Sequence, residues 1–124
     1  MLLIKTERIN GFGVLRREQK NYEEVESLLR QTLDSKQHKL GPDHPACFKS
    51  MYELAVPYKE QGYYDKAEPL FIGTVEGHRL KLGDTHPHTL ESWKSLIELY
   101  EDWDKPGKAE EWRTKLPQTE AVGE

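Results

Sequence analysis

The chain is poor in cysteine and has no long apolar run. Its 124 residues include one cysteine, Cys47, which excludes an internal disulfide framework and is typical of a reducing compartment. No stretch approaches the roughly 18 apolar residues that a membrane-spanning helix needs. The opening Met1–Ile4 run is followed at once by charged residues, so it is too short for the apolar region of a signal peptide. We therefore expect a soluble protein of the cytoplasm.

The chain also lacks an excess of positive charge. It has 18 lysines and arginines against 22 aspartates and glutamates, a net charge of −4. Because proteins that bind nucleic acid or anionic membranes need a basic surface, we expect neither class of partner. The length suits one ordinary domain, and with 35% hydrophobic residues its core has to be lean and regularly spaced.

What the sequence does contain is an internal repeat. The segment LGPDHP at residues 40–45 returns as LGDTHP at residues 82–87, an offset of 42 residues. Ten of the thirty positions from 40 to 69 are identical to those from 82 to 111. The same offset extends upstream, which gives one domain over residues 1–117 with about three copies, at 4–39, 46–81 and 88–117. Residues 118–124 are expected to form a disordered tail.

Each copy has the pattern of two helices. In the second copy Phe48, Met51, Leu54 and Tyr58 lie on one stripe of a 3.6-residue period. Gly62 interrupts the pattern and a second amphipathic run follows. Each linker proline suits the first turn of a helix, and the Leu-Gly pair before it indicates a helix end. No segment alternates with period two, so we expect an all-α superhelix, a short solenoid of stacked helix–turn–helix pairs.

Two segments carry a family resemblance. Residues 93–100 have the pattern W-x2-L-I-x2-Y, and residues 62–67 have the pattern G-x-Y-x2-A; together they resemble the tetratricopeptide repeat. The 42-residue period, the LGxxHP linker and YDKAEPLF at residues 64–71 are similar to the kinesin-light-chain-like variety. HEAT and armadillo repeats have a similar period but lack the G-x-Y-x2-A turn. Residues 98–117 resemble the closing repeat of long bacterial arrays.

Some residues depart from the family pattern. Pro57 lies inside the first helix of the second copy, where it is expected to remove a hydrogen bond and kink the helix. Gly73 and Gly77 are expected to loosen the second helix of that copy. In the third copy, Asp104 and Pro106 replace the glycine and tyrosine of the turn.

The resemblance implies a concave groove, lined by the first helix of each copy, that holds an extended peptide. Its middle is apolar and its last copy acidic, which favours a ligand with an apolar anchor and a basic end. The clamp with which some members bind a C-terminal carboxylate is absent, since Glu53 and Glu91 occupy two of its five positions. The alternative is a solvated helix face without a ligand. The expected groove residues are Asn10, Val14, Arg17, Lys49, Tyr52, Glu53, Val56, Lys59, Glu91, Lys94, Ser95, Glu98, Glu101 and Asp102.

Enzymatic and metal chemistry have little support in the sequence. His86 and His88 offer two imidazoles, but a metal site needs three or four converging ligands. His44 and His86 recur with the linker, which indicates a packing role. Cys47 lies near a helix start without a readable catalytic constellation. The expected function is therefore non-enzymatic protein–protein interaction, with no cofactor and no metal.

Self-association is the alternative function. A short repeat array exposes the apolar flanks of its end helices unless they are capped. Met1–Ile4 form one candidate edge, and Trp103 and Trp112 form the other. Pairing of these edges in a two-fold homodimer would make the chain a structural fragment of a larger array with no groove ligand of its own.

Overall fold

The computed structural model describes the backbone of residues 12–117 and the side chains of residues 19–117. No strand occurs between residues 12 and 117, and consecutive helices pack against one another along the chain. The result is the all-α helical-repeat superhelix that the sequence predicts. Its helices are α1 (Phe12–Leu40), α2 (Pro45–Gln61), α3 (Tyr64–Leu82), α4 (Pro87–Asp102) and α5 (Pro106–Lys115).

The repeated linker starts two helices in the same way. The Nδ1 atoms of His44 and His86 each accept a hydrogen bond from the backbone N–H two residues further on, at 3.0 and 3.1 Å. The proline after each histidine is the first helical residue, and the preceding helix ends at the leucine of the Leu-Gly pair. These boundaries confirm the prediction, and N-terminal capping explains why both histidines recur.

The first copy does not turn where the repeat predicts. In the second copy the turn is at Gly62, with a φ of 86°, and in the third it is at Asp104, with a φ of 60°. The corresponding residue of the first copy is Lys20, which is helical, so α1 runs unbroken from Phe12 to Leu40. The expectation of two helices is therefore wrong for residues 12–40. Lysine disfavours the left-handed conformation that glycine, and to a lesser degree aspartate, accepts.

The two glycines of α3 allow close approach to α2. A Cβ atom on Gly77 would overlap the ring of Phe48, and one on Gly73 would overlap the side chain of Met51. Helix α3 runs through both glycines without a break. Rather than loosening the helix, they make room for the side chains of its partner.

Pro57 lies inside α2 without ending it. The helix continues to Gln61, whose side-chain Nε2 donates to the carbonyl oxygen of Pro57 at 3.1 Å. Pro57 itself is buried, so the ring also serves as packing surface.

The core is centred on α2, α3 and α4. In the described part of α1, Leu33 alone is buried. None of the helices within residues 12–117 combines the length and the apolar character that crossing a bilayer requires. The largest fully buried apolar side chains are Trp93, Tyr100, Phe71, Leu54, Leu96, Leu99 and Val75.

Candidate functional site

Side-chain contacts join α2 and α4, the first helices of the second and third copies. The Tyr52 hydroxyl lies 3.5 Å from Ser95 Oγ, and Lys59 Nζ donates to Glu98 Oε1 at 3.0 Å. All four residues belong to the groove predicted from the sequence, and the fold brings them together.

A cavity of about 400 Å³, here the central cavity, lies beside these contacts. The rings of Tyr52 and Phe71 meet edge to face in its wall, with centroids 5.7 Å apart. Tyr64 and Phe71 come from α3 and were not predicted, because sequence reasoning assigned second-helix residues to packing alone. The central cavity is lined by Tyr52, Val56, Lys59, Glu60, Tyr64, Phe71, Ser95, Glu98 and Asp102.

The rim of the central cavity is acidic. It carries three carboxylates and one ammonium group, a formal charge of −2. Lys59 lies 3.0 Å from Glu98 and 3.5 Å from Asp102. Burial lowers the pKa of Lys59, but the hydrogen bond and charge of Glu98 and the charge of Asp102 outweigh it and raise the pKa above its ordinary value. Lys59 therefore stays charged and offsets only part of the negative potential.

A second cavity of about 590 Å³, here the histidine cavity, lies at the starts of α2 and α4 and the end of α3. Tyr52 lines both cavities, so they are adjacent. Lys49, Tyr52 and Glu91 were predicted as groove residues, whereas the three histidines were not. The histidine cavity is lined by Pro45, Ala46, Lys49, Tyr52, His78, Leu82, His86, His88, Glu91 and Ser92.

The imidazoles of the histidine cavity form a chain of neighbouring rings. The ring of His88 lies 5.2 Å from that of His86 and 6.3 Å from that of His78, between centroids. His78 Nδ1 is 3.1 Å from Ser92 Oγ. Burial lowers the pKa of His78 below its ordinary value, and the charges of His88 and His86 lower it further. A neutral imidazole at His78 is therefore consistent with its partly buried position in the wall of the histidine cavity.

In the described residues the histidines are not clustered as metal ligands, and Cys47 is buried. Between residues 19 and 117, no three His, Cys, Asp or Glu side chains are arranged to hold a metal ion. Cys47 is fully buried, and its Sγ lies within hydrogen-bonding distance, 3.2 Å, of the Gly41 carbonyl oxygen. Catalytic thiols are partly exposed in electropositive surroundings, which does not describe Cys47.

Three predicted groove residues lie apart from the central cavity and the histidine cavity. Glu101 pairs with Arg113 of α5 at 2.5 Å, and Lys94 is exposed on α4. Glu53 lines a third cavity of about 550 Å³, here the α1–α2 cavity. That cavity is lined by Asn21, Tyr22, Val25, Leu29, Glu53, Pro57 and Glu60.

The groove residues predicted in the first copy lie outside the described side chains. Asn10 lies outside the described residues, and so do the side chains of Val14 and Arg17. The predicted groove residues whose side chains the structure describes all lie on α2 and α4.

The tryptophan edge predicted for self-association is covered. Trp112 is 9% exposed, and its carbonyl oxygen accepts a hydrogen bond from Trp93 Nε1 at 3.0 Å. Trp103 is half-buried and stacks on Tyr100 with ring centroids 6.2 Å apart. The expectation of an exposed edge is wrong here, because α5 packs against α4. The other expected edge, Met1–Ile4, lies outside the described residues.

Comparison with known proteins gives one family. A family model described as a tetratricopeptide repeat matches residues 7–46 and residues 49–88. The two matches start 42 residues apart, each is 40 residues long, and together they cover more than half of the chain. This spacing is consistent with the kinesin-light-chain-like type of repeat. No curated protein matches the chain.

Proposed function

Because the chain belongs to the tetratricopeptide repeat family, whose repeats generally mediate protein–protein interaction, we propose that it is a non-enzymatic adaptor that binds a peptide segment of a partner protein. The peptide lies in extended form along α2 and α4. An apolar side chain enters the central cavity, and a basic side chain lies beside Glu98 and Asp102. No cofactor takes part.

The observation that carries this proposal is the combination of apolar wall and acidic rim in the central cavity. The half-buried Tyr52 and Val56 supply apolar surface beside the buried Phe71, and burying one aliphatic or aromatic side chain there contributes about 2 kcal/mol. Exposed ion pairs contribute at most about 1 kcal/mol each. The apolar anchor therefore supplies most of the affinity, while the acidic rim selects basic over acidic peptides.

The histidine cavity extends the same binding surface toward the start of α4. Tyr52 forms the boundary between the two cavities, so a peptide anchored in one continues into the other. Lys49 and Glu91 on its rim carry opposite charges, which suits a polar or uncharged residue of the peptide rather than a second basic one.

The domain and its location complete the proposal. We assign residues 1–117 to one interaction domain with three repeats. We place it in the cytoplasm, because its one cysteine is buried and free, as suits a reducing compartment.

The proposal is tested with fluorescent peptides of about ten residues that carry one aromatic or leucine anchor. One set has flanking lysines and arginines, and the matched set has glutamates in their place. Fluorescence anisotropy is expected to give at least tenfold tighter binding for the basic set, with a difference that shrinks as salt is added. Equal affinity for the two sets would contradict the proposal.

Paired variants locate the binding site on α4 and α2. Glu98→Gln is expected to weaken binding of the basic peptide about threefold, in line with loss of one exposed ion pair. Glu101→Gln is the matched control on the same helix, because Glu101 does not line the central cavity, and it should leave affinity unchanged. Tyr52→Ala should cost tenfold or more, since buried aromatic contacts dominate such interfaces.

A further inference from the structure

Among the described residues, one face of α1 lacks the covering helix that its counterpart in the next copy has. Val25 and Leu28 are 46% and 63% exposed. The residues 42 positions later, Ala67 and Leu70 of α3, are fully buried and half-buried, because α3 packs against α2, the first helix of its own copy. In the described residues α1 has no such partner, and its second half is one helix short.

The α1–α2 cavity lies where a helix covering this face of α1 would pack. It lies between α1 and α2 and combines apolar surface from Val25 and Leu29 with the carboxylates of Glu53 and Glu60. In a complete copy the first helix packs against the second helix of that copy and against the first helix of the next. A helix in the α1–α2 cavity makes both contacts.

Residues 12–19, the described part of the chain's own first-helix segment, run on into α1 instead of folding back over it. Residues 12–19 align at the 42-residue offset with residues 54–61 of α2. They continue α1 without a break, because no turn forms at Lys20. A continuous helix cannot fold back onto itself, so residues 12–19 of the same molecule do not reach the cavity.

We infer that a second copy of this chain covers the exposed face. The two α1 helices pack antiparallel about a two-fold axis, so that residues 12–19 of each copy occupy the α1–α2 cavity of the other. In such an exchange the first and second helices of a repeat make the same contacts as in an ordinary copy, but the two helices belong to different molecules.

The packing of α2 on α3 gives the position of this axis. Tyr52 contacts Phe71, and Met51 lies over Gly73. Along the sequence, the two pairs are centred at positions 61.5 and 62. Subtracting the 42-residue offset gives positions 19.5 and 20 in the first copy. The same antiparallel contacts between two α1 helices therefore place the axis beside Lys20.

Charge supports this exchange. Lys59 of α2 contacts Asp102 of α4 at 3.5 Å. At the 42-residue offset the sequence has Arg17 at the position of Lys59 and Glu60 at the position of Asp102. The sequence of the exchanged segment and of α2 thus repeats the opposite charges of the pair seen one copy later.

Light scattering behind a sizing column tests the inference on the full chain over a concentration series. The unaltered chain is expected to have twice the mass of one chain at micromolar concentration. Leu28→Glu should raise the dissociation constant at least tenfold and give a monomer. Leu80→Glu is the matched control, since Leu80 is also an exposed leucine, at 74%, but lies on α3; it should stay dimeric.

Cross-linking tests the antiparallel geometry. Asn21→Cys places a thiol beside the axis and should give a covalent dimer on mild oxidation. Lys39→Cys lies 19 residues from the axis, which is about 28 Å at 1.5 Å per residue, so its two copies are about 57 Å apart and should not cross-link. The buried Cys47 should leave the unaltered chain uncrosslinked.

Restoring the turn at residue 20 tests whether the absence of that turn causes the dimer to form. Lys20→Gly recreates the Glu-Gln-Gly segment of residues 60–62 and should convert the dimer to a folded monomer of similar helix content, whereas Lys20→Ala should remain dimeric.

A monomer at all concentrations, a dimer unaffected by Leu28→Glu, or equal cross-linking at positions 21 and 39 would each overturn the inference. The Leu28→Glu chain should bind the basic peptides as the parent does, which separates this inference from the proposed function.

Discussion

Tyr100 is a single residue that ties the second helix of one copy to the first helix of the next. Its hydroxyl donates to Glu68 Oε2 at 2.5 Å, and its ring is almost fully buried. Burial and the hydrogen bond to Glu68 both raise the pKa of Tyr100 above its ordinary value near 10, because the phenolate would be desolvated and would face a carboxylate.

This raised pKa gives a prediction for alkaline stability. In the unfolded chain Tyr100 loses its proton near pH 10, while in the folded chain it keeps it, so its contribution is complete below pH 10 and is lost as the pH rises above 10. Denaturant unfolding at pH 8 and pH 11 measures the loss. Tyr100→Phe should cost about 1 kcal/mol at pH 8 and reduce the further loss at pH 11, whereas the exposed Tyr63→Phe should change neither.

His78 gives the corresponding prediction on the acid side. Its lowered pKa means that the unfolded chain takes up the proton first as the pH falls. The folded state is therefore fully stable above the ordinary histidine pKa near 6.5 and loses stability as the pH falls below it. NMR titration of the His78 ring should give a midpoint below 6.5, and a midpoint at or above 6.5 would contradict the assigned burial.

At the scale of elements, Gly77 controls how closely α2 and α3 approach. Alanine favours a helix by about 1 kcal/mol over glycine, but a Cβ atom at this position would overlap the ring of Phe48. Overpacking a core costs about 1–3 kcal/mol, so the clash outweighs the propensity. Gly77→Ala should lower the free energy of unfolding by about 1 kcal/mol in a urea titration.

Gly107 in α5 is the matched control for this substitution. Nothing lies within 4 Å of a Cβ atom built there, so Gly107→Ala gains helix propensity without a clash. It should leave stability unchanged or raise it by up to about 1 kcal/mol. Equal changes in the free energy of unfolding at Gly77 and Gly107 would show that helix propensity, and not contact with neighbouring side chains, determines both effects.

The sequence predicts some elements better than others for a physical reason. The starts of α2 and α4 follow from a proline that can occupy only certain helical positions, and both prolines were predicted to lie in the first turn of a helix. The missing turn of the first copy depends on the backbone conformation of Lys20, which the 42-residue alignment does not show. At the site, the contacts of Tyr52 and Lys59 follow from the family pattern, whereas Phe71 and His78 reach the cavities only through packing of α3.

At the scale of the whole molecule, stability should fall from the middle toward α1. Helices α3 and α4 each pack against a neighbour on both sides, whereas α1 packs chiefly against α2 and buries only Leu33 among its described side chains. In a solenoid each helix is held by its nearest neighbours. The free energy of local opening should therefore be lowest in α1 and highest in α3 and α4.

Hydrogen exchange measures this gradient and joins it to the proposed dimer. In the Leu28→Glu monomer, amides of α1 should exchange fastest, and those around Phe71 and Trp93 slowest. In the unaltered chain, α1 protection should rise with protein concentration, because a second copy covers its exposed face and binding to the folded state adds to the opening free energy. Protection in α4 should change much less. Protection of α1 that equals that of α4 in the monomer would contradict the nearest-neighbour argument, and α1 protection independent of concentration would contradict the exchange of α1 between copies.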